Sequence, residues 1–174
     1  MLSELSLNKP YGSLSKGQRR WVLTSLALAC HPTLVLLDEP ADGLDPAARK
    51  ALYDSVRDHV NAEEATAIVT THHIADVERI ADEVAIIANG TLTLHAPLED
   101  LRDRARLVET PDGTTPADLD GLVTLLGKAA PNGDRIVMLN RDITDDELRR
   151  QLGGNAEIRH VGLEELYLAV AGQT

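Results

Sequence analysis

Two short apolar runs with an amphipathic helix between them constrain the fold of this chain more than any other feature. The aliphatic run over residues 33–37 is typical of a parallel strand covered on both faces, and residues 66–70 form a second, β-branched run. Between them Asp45 and Pro46 suit an N-cap and a first helical position, and apolar residues recur every fourth position at Ala48, Leu52, Val56 and Val60. Strand, helix and strand in this order predict a parallel, right-handed βαβ unit.

Further helices and a hairpin are predicted around this unit. Residues 18–30 are apolar nearly all round, which predicts a buried helix ending before His31-Pro32. A third helix is predicted over residues 74–81. The Asn89-Gly90 pair between two apolar runs predicts a β-hairpin.

The character of the sequence changes at about residue 106, after a linker and short helix over residues 96–106. We predict a second, small α+β unit there. Its elements are strands 106–109, 135–139 and 156–160 and helices 117–130, 144–152 and 163–171.

Composition argues against a nucleic-acid-binding protein. The formal net charge is −11, and the chain has one Trp, three Tyr and no Phe, so basic patches and base-stacking rings are both scarce. A nucleotide can still bind an acidic protein through a local cluster of N–H groups and a metal ion. The sequence shows neither a signal peptide nor an apolar run long enough to cross a bilayer, so we expect a cytoplasmic chain whose membrane contact comes through a partner.

Leu14 to Gln18, with the sequence LSKGQ, leads directly into the first predicted helix. A glycine at a helix entry lets an anion approach the free N–H groups, and the Ser15 hydroxyl adds a donor. The alternative is an ordinary Ser N-cap followed by a loop glycine.

Two carboxylates follow the first strand in the segment 34–40, LVLLDEP. Open α/β sheets place ligands at this end of their strands. Because adjacent strand residues point in opposite directions, one of Asp38 and Glu39 can hold a hydrated Mg²⁺ while the other faces an attacking water. The alternative is that both cap the following turn.

Two more segments complete the series. Gly43 to Pro46, GLDP, is a standard helix start, so a functional role for Asp45 depends on its context. Thr70-Thr71-His72 closes the second strand. If the two strands are neighbours, His72 lies beside Asp38 and Glu39 and can hydrogen-bond a phosphate oxygen. The alternative is a structural histidine, and His73 next to it leaves the choice open.

The order and spacing of these segments closely resemble the nucleotide-binding domain of ABC ATPases, over roughly residues 1–95. LSKGQ resembles the signature, LVLLDEP the Walker B segment with the catalytic glutamate, GLDP the D-loop, and His72 the switch histidine. Lys16 replaces the commoner glycine of the signature. The tail, with Gly162 to Tyr167, is similar to the small domain that follows this domain in ABC-2-type exporters.

The resemblance implies a fold, partners and residue roles. Residues 1–100 would be the C-terminal portion of an ABC nucleotide-binding domain of P-loop NTPase type, with a parallel sheet core, and residues 101–174 a small α+β accessory domain. A dimer of such subunits, bound to a transmembrane permease at the inner membrane, would hydrolyse ATP to drive export. The implied roles are Mg²⁺ held through water by Asp38, water activation by Glu39, a γ-phosphate contact by His72, and nucleotide binding across the dimer by Ser15, Gly17, Gln18 and Asp45.

The sequence departs from the family in one important respect: it contains no GxxxxGK[ST] phosphate loop. We therefore expect a truncated chain or a separately made half, inactive alone and completed by a Walker A-bearing half or subunit. One alternative is a non-hydrolysing module that supplies its signature face to such a partner. Another is an ABC ATPase of DNA repair, but residues 1–13 lack the heptads of the coiled coils that those proteins insert.

Overall fold

A computed structural model describes residues 10–109, 123–128, 135–140, 143–152 and 156–171 of the chain. The chain divides into two units, Met1–Asp76 and Val77–Thr174. The predicted domain boundary after residue 100 stays a prediction. No helix among the described residues is long and apolar enough to cross a membrane.

The first unit holds the predicted βαβ arrangement. After a 3-10 turn over Tyr11–Ser13, its elements are α1 (Lys16–Ala29), β1 (Leu34–Asp38), α2 (Pro46–Glu63), β2 (Thr66–Thr70) and the start of α3 (Ile74–Ile80). β1 and β2 pair in parallel from Leu34↔Thr66 to Asp38↔Thr70. The parallel pairing is confirmed, and it brings the carboxyl ends of both strands to one edge.

α2 begins and packs as its sequence predicts. The Asp45 side chain accepts hydrogen bonds from the backbone N–H groups of Ala47 at 3.0 Å and Ala48 at 2.9 Å, and Pro46 follows as the first helical residue. The predicted apolar face is buried at Ala48, Leu52 and Val56, where Tyr53 is buried as well.

Two burial predictions for this unit are wrong. Val35 is buried at 3%, but Leu36 on the opposite face of β1 is 68% exposed, so the strand is covered on one face only. α1 was predicted to be buried, yet Thr24 is its one buried residue and Leu26 is 60% exposed. Apolar patterning reports which surfaces can be buried, and burial also requires a neighbouring layer, which the described residues do not place over these surfaces.

The second unit opens with the predicted hairpin. β3 (Glu83–Ala88) and β4 (Thr91–Pro97) are antiparallel and pair Ala88 with Thr91. Asn89 and Gly90 have φ angles of +51° and +75°, the left-handed values that a two-residue turn of type I′ requires at both central positions.

The rest of the described part of this unit consists of α4 (Leu98–Arg104), β5 (Ala105–Glu109), β6 (Val123–Lys128), β7 (Arg135–Asn140), α5 (Asp145–Gln151), β8 (Glu157–His160) and α6 (Leu163–Ala171). Its four strands form an antiparallel sheet with the order β6-β7-β5-β8. Val108, Met138, Leu148 and Ala156 pack together in a core cluster. The predicted α+β character and five of the six predicted tail elements are confirmed.

The sixth element, the predicted helix over residues 117–130, is wrong where the structure describes it. Residues 123–128 form strand β6, which pairs with β7 from Val123↔Asn140 to Lys128↔Ile136. The remaining residues of the predicted helix lie outside the described residues. A short apolar run fits a strand or a helix equally well, and here pairing with β7 decides, which no local pattern reveals.

Candidate functional site

Thr70 organises the carboxyl edge of the parallel strand pair. It lies opposite Asp38 in the register, and its hydroxyl donates a 2.5 Å hydrogen bond to Asp38 Oδ1. The backbone N–H of Glu39 donates to the carbonyl oxygen of Thr70 at 3.1 Å and to its hydroxyl at 3.2 Å. One threonine on β2 therefore fixes both acidic residues at the carboxyl end of β1.

The backbone of Glu39 adopts an uncommon conformation. Its φ angle is +45°, in the left-handed region, although it carries a side chain and precedes Pro40, which disfavours helical backbone in the residue before it. Such a conformation costs about 1–3 kcal/mol and persists only where the surroundings enforce it, as the two bonds to Thr70 do here. His31, Glu64 and Asn89 adopt the same backbone region, so the φ angle by itself does not distinguish Glu39 from a residue in an ordinary turn.

His72 lies beside Glu39, as the sequence predicts for neighbouring strands. Its Nδ1 is 2.7 Å from Glu39 Oε1. The side chains of His72 and Glu39 are 63% and 30% exposed, so the pair contributes no more than about 1 kcal/mol to stability. Its main effect is to orient both groups.

The pairing also constrains the proton on His72. A carboxylate oxygen can only accept, so Nδ1 must carry a proton, and the Nε2 nitrogen points elsewhere. In the neutral ring Nε2 would then be an acceptor. Donation from Nε2 to an anion such as a phosphate therefore requires the imidazolium form, paired with Glu39.

Asp38 combines an anchored backbone with an exposed side chain. The Arg20 guanidinium on α1 donates a 2.9 Å hydrogen bond from Nη1 to the Asp38 carbonyl. Among the described residues no group of three or more His, Cys, Asp or Glu side chains is arranged to hold a metal ion directly. A single exposed carboxylate, steadied by Thr70, instead suits a hydrated cation held through water.

The signature-like segment forms a capping box at the start of α1. The Gln18 N–H donates to the Ser15 hydroxyl at 3.2 Å, and the Ser15 N–H donates to Gln18 Oε1 at 3.0 Å. The N-cap of the alternative is therefore confirmed for Ser15, but Gly17 lies within α1 and not in a loop. The predicted nucleotide contacts of Ser15 and Gln18 remain predictions, and both residues would have to serve the helix and a ligand together.

The same segment packs against the loop that leads to α2. Lys16 Nζ lies 2.7 Å from Asp42 Oδ2, and this ion pair lowers the pKa of Asp42. A Cβ at Gly17 would lie 2.8 Å from Leu44 Cδ2, closer than a real contact allows, so a side chain there would displace Leu44. Lysine in place of the commoner glycine thus ties α1 to the loop before Asp45.

The predicted site residues fall into two groups. Asp38, Glu39 and His72 meet at the carboxyl edge of the strands. Ser15, Gly17 and Gln18 lie at the start of α1, and the described residues show no hydrogen bond or ion pair between their side chains and the first group. Asp45 caps α2, as its sequence predicts, and any nucleotide contact by Asp45 stays a prediction.

The sequence did not predict the contacts that Thr70, Lys16 and Asp42 make at the site. Thr70 belongs to a segment that was singled out for His72, but its contact with Asp38 depends on the strand register. The Lys16–Asp42 pair joins positions 26 residues apart, and nothing local to either residue signals it.

The chain is similar to several known proteins. A family model matches residues 6–75, and its description is "AAA domain, putative AbiEii toxin, Type IV TA system". The "ABC transporter ATP-binding protein YtrB" of Bacillus subtilis is 30% identical over 100 residues, which are 58% of this chain and 34% of that protein. The "ABC-type organic anion transporter ABCA8B" of Mus musculus is 32% identical over 98 residues, 56% of this chain and 6% of that protein.

The homologues of this chain are ABC transporter ATP-binding proteins. A solved structure titled "Structure of ATP binding subunit of ABC transporter" is similar to this chain with a TM-score of 0.46 and 33% identity, over 53% of this chain and 38% of that one. The chain spans about a third of the bacterial relative and far less of the mouse one. Its mixed α/β architecture with a parallel strand pair fits part of an ABC ATPase domain of P-loop NTPase type.

Proposed function

We propose that this ABC-related chain supplies the hydrolytic edge of an ATP-binding subunit that drives export across a membrane. The observation that carries the proposal is the meeting of Asp38, Glu39 and His72 at one strand edge, with His72 Nδ1 2.7 Å from Glu39 Oε1. The names of the ATP-binding relatives point to ATP as the nucleotide. The site contains the side chains that ATP hydrolysis requires.

Glu39 acts on the attacking water. His72 orients Oε1 of Glu39. Oε2 has no hydrogen-bond partner among the described residues, so Oε2 can accept a hydrogen bond from a water molecule. Orienting and polarising the nucleophile is the part of phosphoryl transfer that falls to a carboxylate. The Nε2 of His72, the ring nitrogen that is not paired with Glu39, would face a phosphate oxygen.

The residues also fit a magnesium ion held through water. Asp38 offers an exposed carboxylate whose second oxygen is free of protein partners among the described residues. A bound Mg²⁺ would neutralise charge on the phosphates. Asp38 would orient the ion's water shell, and Thr70 would fix the Asp38 carboxylate.

Other parts of the ATP site come from partners. The phosphate loop that this sequence lacks would come from a Walker A-bearing half or subunit. Ser15, Gly17, Gln18 and Asp45 would contact the nucleotide across a dimer, and a permease would place the assembly at the cytoplasmic side of the inner membrane. The transport of a substrate, and the export direction, belong to this whole assembly.

The proposal predicts very weak nucleotide binding by the chain itself. Without the N–H cradle and lysine of a phosphate loop, we expect Mg·ATP to bind with a Kd of about 1 mM or weaker, or about −4 kcal/mol. Calorimetric titration of the isolated chain measures this directly, and an Asp38→Asn variant should give the same weak heats. A micromolar Kd for the isolated chain would show that no Walker A half is needed.

A further inference from the structure

A buried polar cluster joins α2 to the turn that carries His72. The Asp76 side chain, in the first turn of α3, is only 4% exposed. The hydroxyl of Tyr53 donates to Asp76 Oδ2 at 3.2 Å, and Arg49 Nη1 lies 3.6 Å from the same oxygen. Tyr53 itself is 1% exposed.

Tyr53 makes the closest contact within this cluster. A buried carboxylate is costly unless it is paired and hydrogen-bonded, and Arg49 is too distant to form a hydrogen bond to it. Arg49 Nε is buried without a hydrogen-bond partner among the described residues, so the guanidinium is not locked in a two-bond fork on Asp76. Burial first, and then Asp76, raise the pKa of Tyr53 well above its ordinary value, which keeps the phenol a donor.

Two hydrogen bonds connect Asp76 to the residues on either side of His72. The Asp76 N–H donates to the His73 carbonyl at 2.9 Å, and the His73 N–H donates to the Thr71 hydroxyl at 3.1 Å. These bonds close the turn over residues 71–76, within which His72 lies. A side chain that anchors Asp76 therefore anchors the backbone that aims the His72 ring.

The cluster is also connected to Asp45 through α2. Arg49 and Tyr53 both lie on α2, whose N-cap is Asp45, and the Arg49 N–H donates to the Asp45 carbonyl at 2.9 Å. The helix that begins at the D-loop-like segment and the turn that carries the switch-like histidine thus share one buried carboxylate.

We propose that Asp76, anchored by Tyr53 and supported by Arg49, is a positioning residue that sets the orientation of His72 toward Glu39. Its importance for catalysis rests on the function proposed above, but its effect on His72 does not. Removing the anchor should loosen the turn and free the imidazole from Glu39, while the apolar packing of α2 is preserved.

The test observes the His72 ring directly in the isolated full-length chain. Nitrogen NMR of histidine-labelled protein reports the protonation of each ring nitrogen, and the signal lost in His72→Gln identifies His72. Tyr53→Phe removes only the hydroxyl, and Asp76→Asn removes the charge while it keeps an acceptor. Val56→Ala, one turn further along the same buried face of α2, is the control, because it weakens packing while it keeps the Tyr53 hydroxyl, Arg49 and Asp76.

We expect Tyr53→Phe and Asp76→Asn to shift the Nδ1 resonance of His72 away from its carboxylate-bonded position, and Val56→Ala to leave it in place. Unchanged His72 resonances in folded Tyr53→Phe, the mildest variant, would overturn the proposal, as would an equal shift in Val56→Ala. In the completed ATPase, the two cluster variants should lower turnover by about 10–100-fold, because small misplacements at a site have effects of that size. Shifted resonances without any ATPase in the parent assembly would count against the proposed function and leave the positioning role standing.

Discussion

Glu39→Gln should lower ATP turnover by on the order of 100-fold or more in an assembly completed with a Walker A-bearing half. Glutamine keeps the size of the side chain and can still accept from His72 through its amide oxygen. It loses the negative charge that polarises the attacking water. ATP binding should survive because Asp38 and the phosphate loop are unchanged, so the ATP-bound dimer should accumulate.

A closely matched control for this variant exists within the chain. His31 Nδ1 lies 2.7 Å from Glu63 Oε1, the same separation as in the His72–Glu39 pair, and with similar side-chain exposure. Glu63→Gln thus removes the charge from an equivalent pair away from the strand edge and should leave turnover unchanged. Normal turnover in Glu39→Gln would place the general base elsewhere and remove the catalytic assignment of this segment.

Ser15→Arg should abolish closure of the ATP-bound dimer. The arginine would fill the place in which the start of α1 is proposed to receive the partner's nucleotide, while the same subunit's own phosphate site still binds ATP. Loss of the N-cap adds a destabilisation of about 1 kcal/mol. Size-exclusion chromatography with ATP, in the Glu39→Gln background that retains the dimer, measures the effect.

Ser13→Arg is the control for this second variant. Ser13 lies two residues before Ser15, is exposed, and its hydroxyl donates only to the Pro10 carbonyl among the described residues. The same bulk and charge at Ser13 should leave the dimer intact. A dimer that persists in Ser15→Arg would show that the signature-like segment does not lie at the subunit interface.

Much of the fold could be predicted because its signals are local. The Asp45-Pro46 start of α2 and the Asn89-Gly90 turn depend on residues within a few positions of each other. The parallel pairing of β1 with β2 follows from the order of strand, helix and strand. These features were predicted at or near their observed positions.

The errors share a different cause, because they depend on what lies beside a segment. Residues 123–128 contain an apolar run that forms a strand because it pairs with β7. Leu36 is as apolar as Val35, and only the presence or absence of a covering layer distinguishes them. Patterning cannot supply this information, since it describes one element at a time.

The candidate site shows the same division. Placing His72 near Glu39 required only that the strands be neighbours, and the structure confirms that step. The anchoring by Thr70 and the ion pair of Lys16 with Asp42 required register and loop geometry. The capping box shows that Ser15 and Gln18 have a local structural role, and a role at a nucleotide must be tested independently of it.

The most direct measurement of the central claim is ATP turnover by this chain, by a Walker A-bearing half of an ABC ATPase, and by the two combined. The account predicts negligible hydrolysis by either part alone, turnover in the mixture, and loss of that turnover when the chain carries Glu39→Gln. Equal turnover with and without this chain would contradict the account, as would a stable complex that binds ATP and never hydrolyses it, the behaviour of a non-hydrolysing module.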